Sequence, residues 1–158
     1  MSEHRDAIAL QGLLALCTGH ADALKEALAD IKRRAFTPET LASLDKADRR
    51  LLDQFAYRYT RLQDDMGARL MPAILRALGE DVGAMPAMDR FNRLEQLGWL
   101  PSADEWLELR TVRNQFTHEY PESAEARFEQ LQAAIVAAGR LVELFERMTA
   151  RVRARTMP

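Results

Sequence analysis

The sequence predicts an all-α protein, a helical bundle of four to six helices in a single domain covering residues 1–158. Apolar residues recur every three or four positions along nearly the whole chain, which is the spacing of amphipathic helices. Proline, glycine and capping residues separate these periodic segments, as they do at helix ends. Hydrophobic residues make up 47% of the chain and charged residues 29%, a balance typical of a globular domain with an apolar core.

The first predicted helix carries an apolar stripe over residues 10–31. Cys17, the only cysteine, lies on that stripe, so no intrachain disulfide is possible and we expect a buried thiol. His20 falls in a polar turn of the same helix, and His4 lies near the N-terminus. We expect both imidazoles to be solvated, which leaves them outside the candidate site.

A second long helix is predicted to start at Thr37, a capping residue followed by Pro38. Its apolar spacing runs from Leu52 to Met66. Gly67 and Pro72 are expected to bend this helix or end it, because proline removes a backbone donor. The helical pattern then resumes and stops near Gly79.

The middle of the chain divides into a loop and two further helices. Residues 79–86 are predicted to form a loop, and Met88 to Leu97 a short helix with Gly98 as its C-terminal cap. Ser102 caps the next helix, and Glu105 is expected to complete a capping box.

That next helix is predicted to end near Glu119, because Pro121 disfavours helical geometry at Tyr120. A last helix starts around Glu122. Its apolar seam consists of Phe128, Leu131, Ile135, Ala138, Val142, Phe145, Thr149 and Val152. We expect residues 150–158 to form a basic, solvated tail, with arginines at or near it at positions 147, 151, 153 and 155.

Charge and composition limit the possible functions. The net charge is −2, so no global basic field attracts nucleic acid, and any RNA contact needs a local basic patch. We find no cysteine, histidine or carboxylate spacing typical of a metal site, and expect neither metal nor cofactor. The N-terminus lacks the apolar run of a signal peptide and no run approaches membrane-spanning length, which favours the cytoplasm and no membrane contact.

The helix predicted over about residues 103–119 carries an unusual group of polar side chains. On a helical projection its core-facing arc consists of Leu109, Val112 and Phe116. An adjacent arc of roughly 100° carries Arg110, Arg113, Asn114 and Thr117. His118 lies just beyond this arc, and Tyr120 follows at the helix end.

These residue types are suited to cleavage of a phosphodiester bond. RNA supplies its own nucleophile in the 2′-hydroxyl, and His118 would move the proton. Arg113 would stabilise charge on the phosphate oxygens, while Asn114 holds the imidazole or a phosphate oxygen. Arg110 and Thr117 are possible supporting residues. The alternative is an exposed arginine-bearing face with a histidine near the helix C-terminus, where a cation is favourable in any case.

The stretch ELRTVRNQFTHEYP resembles the R-x-x-x-x-H-x-Y motif of HepT-like toxins in the HEPN superfamily. Arg113, Asn114, His118 and Tyr120 match that motif in register. The segments LLDQFAYRYTRLQDDMG and DRFNRLEQLGWLPSADEWLELR are also similar to members of this group. The resemblance covers residues 45 to 145, most of the chain.

The resemblance implies a helical bundle that forms a homodimer, in which two copies of the motif face each other. It implies a metal-independent endoribonuclease toxin with RNA as substrate. It also implies a cognate nucleotidyltransferase antitoxin of the MNT type, which attaches AMP to the motif tyrosine, here Tyr120. The chain has no G-S-x-x-x-x-x-D-x-D run of its own, so it would be the partner of the transferase.

Two other functional classes stay open at this point. One is a catalytically silent nucleotide-binding or adaptor subunit of a nucleotidyltransferase pair, and the other is a plain helical interaction module. Neither requires Arg113 or His118 to be catalytic.

Secondary site candidates lie on the second long helix. Asp64 and Asp65 are paired carboxylates, and Asp65 stands four residues from both Arg61 and Arg69, a spacing that favours ion pairs on the helix surface. The alternative is that Asp65 or Arg61 reaches the motif helix and orients it. The two tryptophans, at positions 99 and 106, are expected to be packing residues rather than base-stacking platforms.

Overall fold

The computed structural model of the chain describes residues 2–156 and is helical almost throughout, with no strand in that range. Its elements are α1 (Ser2–Arg34), α2 (Pro38–Ala42), α3 (Lys46–Asp65), a π-helical turn (Met66–Leu70), α4 (Met71–Ala77), a 3₁₀ turn (Val82–Ala84), α5 (Ala87–Gln96), α6 (Ala103–His118) and α7 (Ala124–Thr156). Because α3, the π-helical turn and α4 follow one another without a break, they form one long helix. The described chain is thus a bundle of six helices, and the predicted all-α class is confirmed.

The two longest helices, α1 and α7, have 33 residues each and contact each other. α1 makes its most extensive contacts with α3, and α6 packs against both α7 and α3. The core between them is filled by large, fully buried side chains, among them Leu24, Phe55, Tyr59, Leu62, Leu94 and Trp106. The motif-bearing helix α6 is therefore held on two sides by the bundle.

The α1 stripe is confirmed, with one correction. Cys17 is fully buried, and burial raises the pKa of its thiol to about 12. His20 was expected to be solvated but is only 5% exposed, and its Nδ1 lies 3.0 Å from an Arg58 guanidinium nitrogen on α3. The prediction was wrong because the polar turn of α1 faces polar residues of α3 rather than water. His4 is exposed, as expected.

α1 is also more apolar than expected. By length and composition alone, this helix is long and apolar enough to cross a membrane. The core helix of a soluble protein can have the same length and composition, and a third of the most apolar 18-residue stretch of α1 is buried inside the bundle. The expectation that no run approaches membrane-spanning length is therefore corrected.

The second long helix starts later than predicted. Thr37 caps α2 as expected, in a capping box with Thr40, but α2 ends at Ala42. A new start follows at Asp45, whose carboxylate accepts a hydrogen bond of 2.7 Å from the backbone N–H of Asp48. Aspartate at this position satisfies an otherwise unpaired N–H of the first turn, and this favours a separate helix over a continuous one.

Gly67 and Pro72 do not end the helix, because the chain changes to π-helical hydrogen bonding there. The N–H of Met71 donates to the carbonyl of Met66, five residues earlier. This wider turn lies immediately before Pro72, which lacks the donor that a regular α-helix would use. Gly67 also lets the Trp106 indole approach closely, since a Cβ at position 67 would lie 3.1 Å from its ring.

The predicted ends of α5 and α6 are confirmed, apart from one side chain. Gly98 follows α5 with a φ of +81°, and the Ser102 hydroxyl accepts from the Glu105 N–H at 3.1 Å. The capping box is incomplete, because the Glu105 carboxylate accepts two hydrogen bonds from Arg140 of α7 at 3.0 and 3.1 Å. A charge-assisted pair across the bundle is stronger than a return bond to a neutral N–H.

The last helix contains the predicted seam and continues beyond it. Residues 150–156 belong to α7, and the arginines at positions 151, 153 and 155 are exposed there, while residues 157 and 158 of the predicted tail, like Met1 of the predicted domain, lie outside the described residues. Arg151 donates to the Gly98 carbonyl and lies over the Trp99 ring, 4.7 Å from its centroid. This contact ties the end of α7 to the α5–α6 connection.

Candidate functional site

The motif helix α6 is anchored by Phe116, which points into an aromatic cluster on α3. Its ring centroid lies 5.7 Å from that of Phe55, edge to face, and 5.8 Å from that of Tyr59. Leu109 is buried, and Val112 packs half-buried against the core. The predicted core arc of α6 is therefore confirmed, and it fixes the direction in which the polar arc points.

The C-terminal end of α6 is held by Gln130 of α7. Its side-chain N–H groups donate to the carbonyls of Gln115, at 3.0 Å, and Glu119, at 2.7 Å. These carbonyls belong to the last turn, where an α-helix leaves acceptors unpaired. Gln130 thereby holds the turn that carries His118. Sequence reasoning missed this residue because no local pattern marks a contact between positions so far apart.

Arg113 is held in place at the α3–α6 contact. Its side chain is 13% exposed, and Nη2 donates a hydrogen bond of 2.6 Å to Oδ2 of Asp64 on α3. Nη1 lies 3.4 Å from the Asn114 side-chain oxygen, at the outer limit of a hydrogen bond. The Nε atom is buried without a partner. The guanidinium thus keeps donor capacity that neither Asp64 nor Asn114 uses.

Tyr59 lies in the electrostatic field of Arg113. Burial raises the pKa of the Tyr59 hydroxyl well above its usual range, and the Arg113 charge opposes that rise without cancelling it. The hydroxyl oxygen is buried without a hydrogen-bond partner. Tyr59 therefore provides a neutral, desolvated wall for Arg113, and a cation interacts more strongly with an anion beside such a wall than in open water.

The other motif residues lie at the surface. Asn114 and His118 are exposed, and Tyr120 is 84% exposed. Five residues of α-helix separate Arg113 from His118, which places them about 140° apart around the helix axis. One copy of the motif therefore presents its cation and its imidazole in different directions.

A groove borders the His118 end of α6. Thr117 is half-buried, and its hydroxyl oxygen has no hydrogen-bond partner. Thr117 and Tyr120 line one side of the groove, which has a volume of about 470 Å³, and Tyr57 and Thr60 of α3 line the other. Thr117 lies about two turns beyond Arg110 on the same arc of α6, and it lines this groove, whereas Arg110 lines a different cavity.

Asp64, and not Asp65 or Arg61, reaches the motif helix. The alternative in which Asp65 or Arg61 orients the motif helix is wrong, because the carboxylate that pairs with Arg113 is that of Asp64. Successive residues of an α-helix point about 100° apart, so neighbouring carboxylates serve different partners. Asp64 faces α6 and Asp65 faces α1.

The preferred interpretation of Asp65 as a surface ion-pairing residue is also corrected. Asp65 is 4% exposed, and its Oδ2 lies 3.5 Å from Nε2 of His20. Arg61 and Arg69 are at 3.8 and 3.9 Å from its carboxylate, so the predicted pairs exist with a buried anion. We refer to Asp65, His20 and Arg58 as the buried polar cluster.

A cavity opens on the Arg110 side of α6. It has a volume of about 330 Å³ and is lined by Gln63, Asp64, Gly67, Ala68, Ala87, Arg90, Phe91, Trp106 and Arg110. Trp106 is 1% exposed and Trp99 is 3% exposed, so the prediction that both are packing residues is confirmed. Trp106 nevertheless presents part of its indole to the cavity. Gln63 was not a sequence candidate, because a lone glutamine in a helix carries no recognisable pattern.

Among residues 2–156, no group of three or more histidine, cysteine, aspartate or glutamate side chains is placed to hold a metal ion. The functional groups around α6 are the hydrogen-bonded guanidinium of Arg113, the exposed imidazole of His118 and the exposed phenol of Tyr120. Comparison of the chain with family models, with curated proteins and with solved structures gave no significant match in any of the three.

Proposed function

We propose that the protein is a metal-independent endoribonuclease of the HEPN class. The observation that carries the proposal is the Arg113 guanidinium, 13% exposed and hydrogen-bonded to Asp64, on the same helix as the exposed His118. A cation held in place ahead of the reaction stabilises developing negative charge without reorganising. Together with the R-x-x-x-x-H-x-Y resemblance, this pair favours RNA cleavage over a plain helical interaction module.

The proposed reaction uses the RNA's own 2′-hydroxyl. One imidazole removes its proton, the 2′-oxygen bonds to phosphorus, and the bond from phosphorus to the 5′-oxygen breaks. A second imidazole protonates that oxygen, which leaves a 2′,3′-cyclic phosphate and a 5′-hydroxyl. Arg113 stabilises the phosphate oxygens, exchanging Asp64 for the substrate as its anion. Asn114 assists by orienting a phosphate oxygen or the imidazole, and Arg110 adds positive charge next to Arg113.

We further propose that the enzyme works as a homodimer. One chain supplies one motif histidine, while cleavage benefits from both an acid and a base. The separation of Arg113 and His118 by about 140° also favours a site completed by a second copy. Tyr57 and Tyr120, at 54% and 84% exposure, leave aromatic surface beside the motif that such a copy would cover. If sedimentation at micromolar concentration showed only monomer in an active preparation, the dimer would be excluded.

The test of the function is RNA cleavage by purified protein in the presence of chelator. We expect His118→Ala and Arg113→Ala each to lower the rate by about 100-fold or more, because a general acid–base and an oxyanion stabiliser are each worth that much. Circular dichroism should show that both variants stay folded. Arg147→Ala, an exposed arginine on α7, is the control and should cleave normally. Equal cleavage by wild type and both folded variants would remove these residues from the mechanism.

The proposed regulator is a cognate nucleotidyltransferase of the MNT type, which adds AMP to Tyr120. The phenol is 84% exposed and follows the helix end, so it is accessible to a second enzyme. Each phosphodiester adds negative charge and bulk beside the motif and competes with RNA for Arg113. After co-expression, peptide mass mapping should find AMP on Tyr120, and Tyr120→Phe should escape inhibition. Tyr57→Phe is the matched control, and an unmodified Tyr120 with full inhibition of the Phe variant would contradict the idea.

A second candidate function is a non-catalytic nucleotide-binding or adaptor subunit of the same pair. The Arg113–Asp64 ion pair favours the adaptor form of this alternative, because a neutralised guanidinium attracts any phosphate less strongly. Absence of cleavage in the assay above, with an intact complex with the transferase, would select this alternative. Either function fits a protein of the cytoplasm, which we propose as its location because the apolar stripe of α1 packs on α3 and α4.

A further inference from the structure

Three of the residues that line the cavity on the Arg110 side of α6 carry buried polar atoms with no partner in the protein. Gln63 is 2% exposed, and neither its amide oxygen nor its amide nitrogen has a hydrogen-bond partner. The indole N–H of Trp106, 1% exposed, is also unpaired, as is the Nε atom of Arg90. A buried polar group without a partner is unfavourable, so a ligand that reached these atoms would gain hydrogen bonds that the protein does not make itself.

Part of the cavity wall is formed by irregular helix. Gly67 and Ala68 come from the π-helical turn, and such turns recur at functional sites. The Phe91 and Trp106 rings lie 6.0 Å apart at 52° and supply apolar surface. The volume of about 330 Å³ is at the lower end of the range for small-molecule pockets, which is the size class of a single base or nucleotide.

The polar groups match the hydrogen-bonding edge of a nucleobase, such as adenine. A carboxamide that has both its donor and its acceptor free makes a paired hydrogen bond with adenine, to the exocyclic amine and a ring nitrogen. The Trp106 indole N–H adds a donor for a second ring nitrogen, and Phe91 borders the cavity on its apolar side. Arg90 and Arg110 bring positive charge to the cavity lining, as a ligand with a phosphate requires.

The cavity shares Asp64 with the proposed cleavage site. Asp64 lines it and accepts the 2.6 Å hydrogen bond from Arg113. Arg110 lines it as well and lies one turn before Arg113 and Asn114 on the same arc of α6. A nucleotide with its base in the cavity therefore brings its phosphate to the arginine side of the motif.

We propose that this cavity is the base subsite of the RNA site and that it selects adenine next to the cleaved phosphate. The subsite rests on the proposed function, since the ligand is a base of the RNA substrate. It would make Gln63 the residue that determines specificity, with Trp106 as the second hydrogen-bond donor.

The first experiment measures binding without cleavage. Two-dimensional ¹H–¹⁵N spectra of the full chain carry two indole N–H signals, assigned with a Trp99→Phe variant. On titration with AMP we expect the Trp106 signal and the Gln63 amide signals to shift, while the Trp99 signal stays unchanged. GMP, CMP and UMP should bind more weakly. Gln63→Met, of similar volume, should weaken AMP binding about tenfold, and Gln54→Met, on the exposed side of α3, should not.

A Trp106 signal that stays still at millimolar AMP, or equal AMP binding by the Gln63→Met and Gln54→Met variants, would overturn the subsite. Because this readout needs no cleavage, it is independent of the His118→Ala and Arg113→Ala assay. Loss of AMP binding with intact cleavage would overturn the subsite and leave the proposed function standing. AMP binding without any cleavage would refute the function, and with it the role in RNA recognition, and would leave the cavity as a nucleotide-binding site.

The second experiment separates an RNA base from a free nucleotide. Cut sites on a random RNA pool are sequenced for wild type, Gln63→Met and Gln54→Met. We expect the wild type and Gln54→Met to share a preference for adenine at one position beside the cut, and Gln63→Met to lose it. An unchanged cut-site distribution in a Gln63→Met variant that no longer binds AMP would show that the cavity holds a free nucleotide, and would overturn its role in RNA recognition.

Discussion

Asp64 and Asp65 are neighbours in the sequence but belong to two different environments. The Asp64 side chain is 49% exposed and forms a short, direct ion pair with Arg113 of α6. Asp65 is buried and faces His20 of α1 across 3.5 Å, with two arginines near 4 Å. The Asp64 carboxylate holds the partly exposed Arg113 side chain of α6, while the Asp65 carboxylate lies between α1 and α3. Their difference shows that a turn of about 100° on one helix is enough to separate a candidate site from a structural contact.

The largest effect that we expect is a loss of stability when Asp65 is replaced by alanine. Asp65→Ala removes the only anion of the buried polar cluster and leaves the His20 and Arg58 side chains without it. We expect the free energy of unfolding to fall by about 2–3 kcal/mol. Urea denaturation of wild type and variant measures this directly. A change below about 0.5 kcal/mol, the scatter of ordinary surface substitutions, would show that Asp65 does not hold α1 to α3.

A smaller effect is expected from pH, through His20. Burial lowers the pKa of His20 below its ordinary value of 6.5, the Arg58 and Arg61 charges lower it further, and Asp65 opposes them. Below pH 6.5 the unfolded chain therefore binds a proton at His20 that the folded protein does not. The stabilisation from neutral His20 is complete above that pH and is lost as pH falls towards the folded-state pKa.

The corresponding measurement is urea denaturation of wild type and His20→Gln at pH 7.5 and pH 5.5. The wild type should lose more stability on acidification than His20→Gln, whose side chain does not titrate. His4→Gln, at an exposed position, is the control and should follow the wild type. If the free energy of unfolding had the same pH dependence in wild type and His20→Gln, protonation of His20 would not account for the loss of stability at low pH.

The smallest effect on stability is expected at Asp64. Because the Asp64 side chain of the Arg113–Asp64 ion pair is well exposed, Asp64→Ala should change the free energy of unfolding by less than about 1 kcal/mol. Removing the carboxylate also removes a competitor for the Arg113 guanidinium. In a cleavage-deficient His118→Ala background, RNA should then bind up to about fivefold more tightly at low salt.

Glu108→Ala on the exposed face of α6 removes one negative charge away from the cavity and is the matched control for that binding assay. Filter binding at two salt concentrations measures both variants. Weaker RNA binding by the Asp64→Ala variant would contradict this expectation. It would mean that Asp64 aids RNA binding by orienting Arg113 more than it hinders binding by neutralising the guanidinium charge.

Local signals predicted most of the fold, because helix ends are determined by residues close in sequence. Two helix starts, at Ser102 and Thr37, were predicted correctly because a capping hydroxyl accepts from a backbone N–H only three residues later. The end of α5 at Gly98 was also predicted correctly, because glycine readily adopts the positive φ found there. Apolar spacing also assigned Phe116 to the core side of α6. The start at Asp45 was missed, although a capping aspartate is a local signal, because the apolar spacing continued across it.

The candidate site was predictable only in part, because its partners come from distant segments. Periodicity placed Arg113 and His118 on the polar face of α6 but gave no information on which α3 carboxylate meets the guanidinium. The choice between Asp64 and Asp65 depends on how α3 is rotated between α1 and α6, which a single-helix projection does not contain. Gln63 and Gln130 were missed for the same reason, since their roles exist only once the helices are packed.

The π-helical turn at Met66–Leu70 amounts to a one-residue insertion that the fold has absorbed. An extra residue advances every later side chain by about 100°, so the apolar stripes of α3 and α4 are out of phase with each other. Residues 71–75 are all buried because this offset brings several faces of α4 into the bundle. A one-residue deletion at 67 or 68 would remove the offset and rotate α4 away from its partners. The length of this stretch of chain is consequently as constrained as its composition.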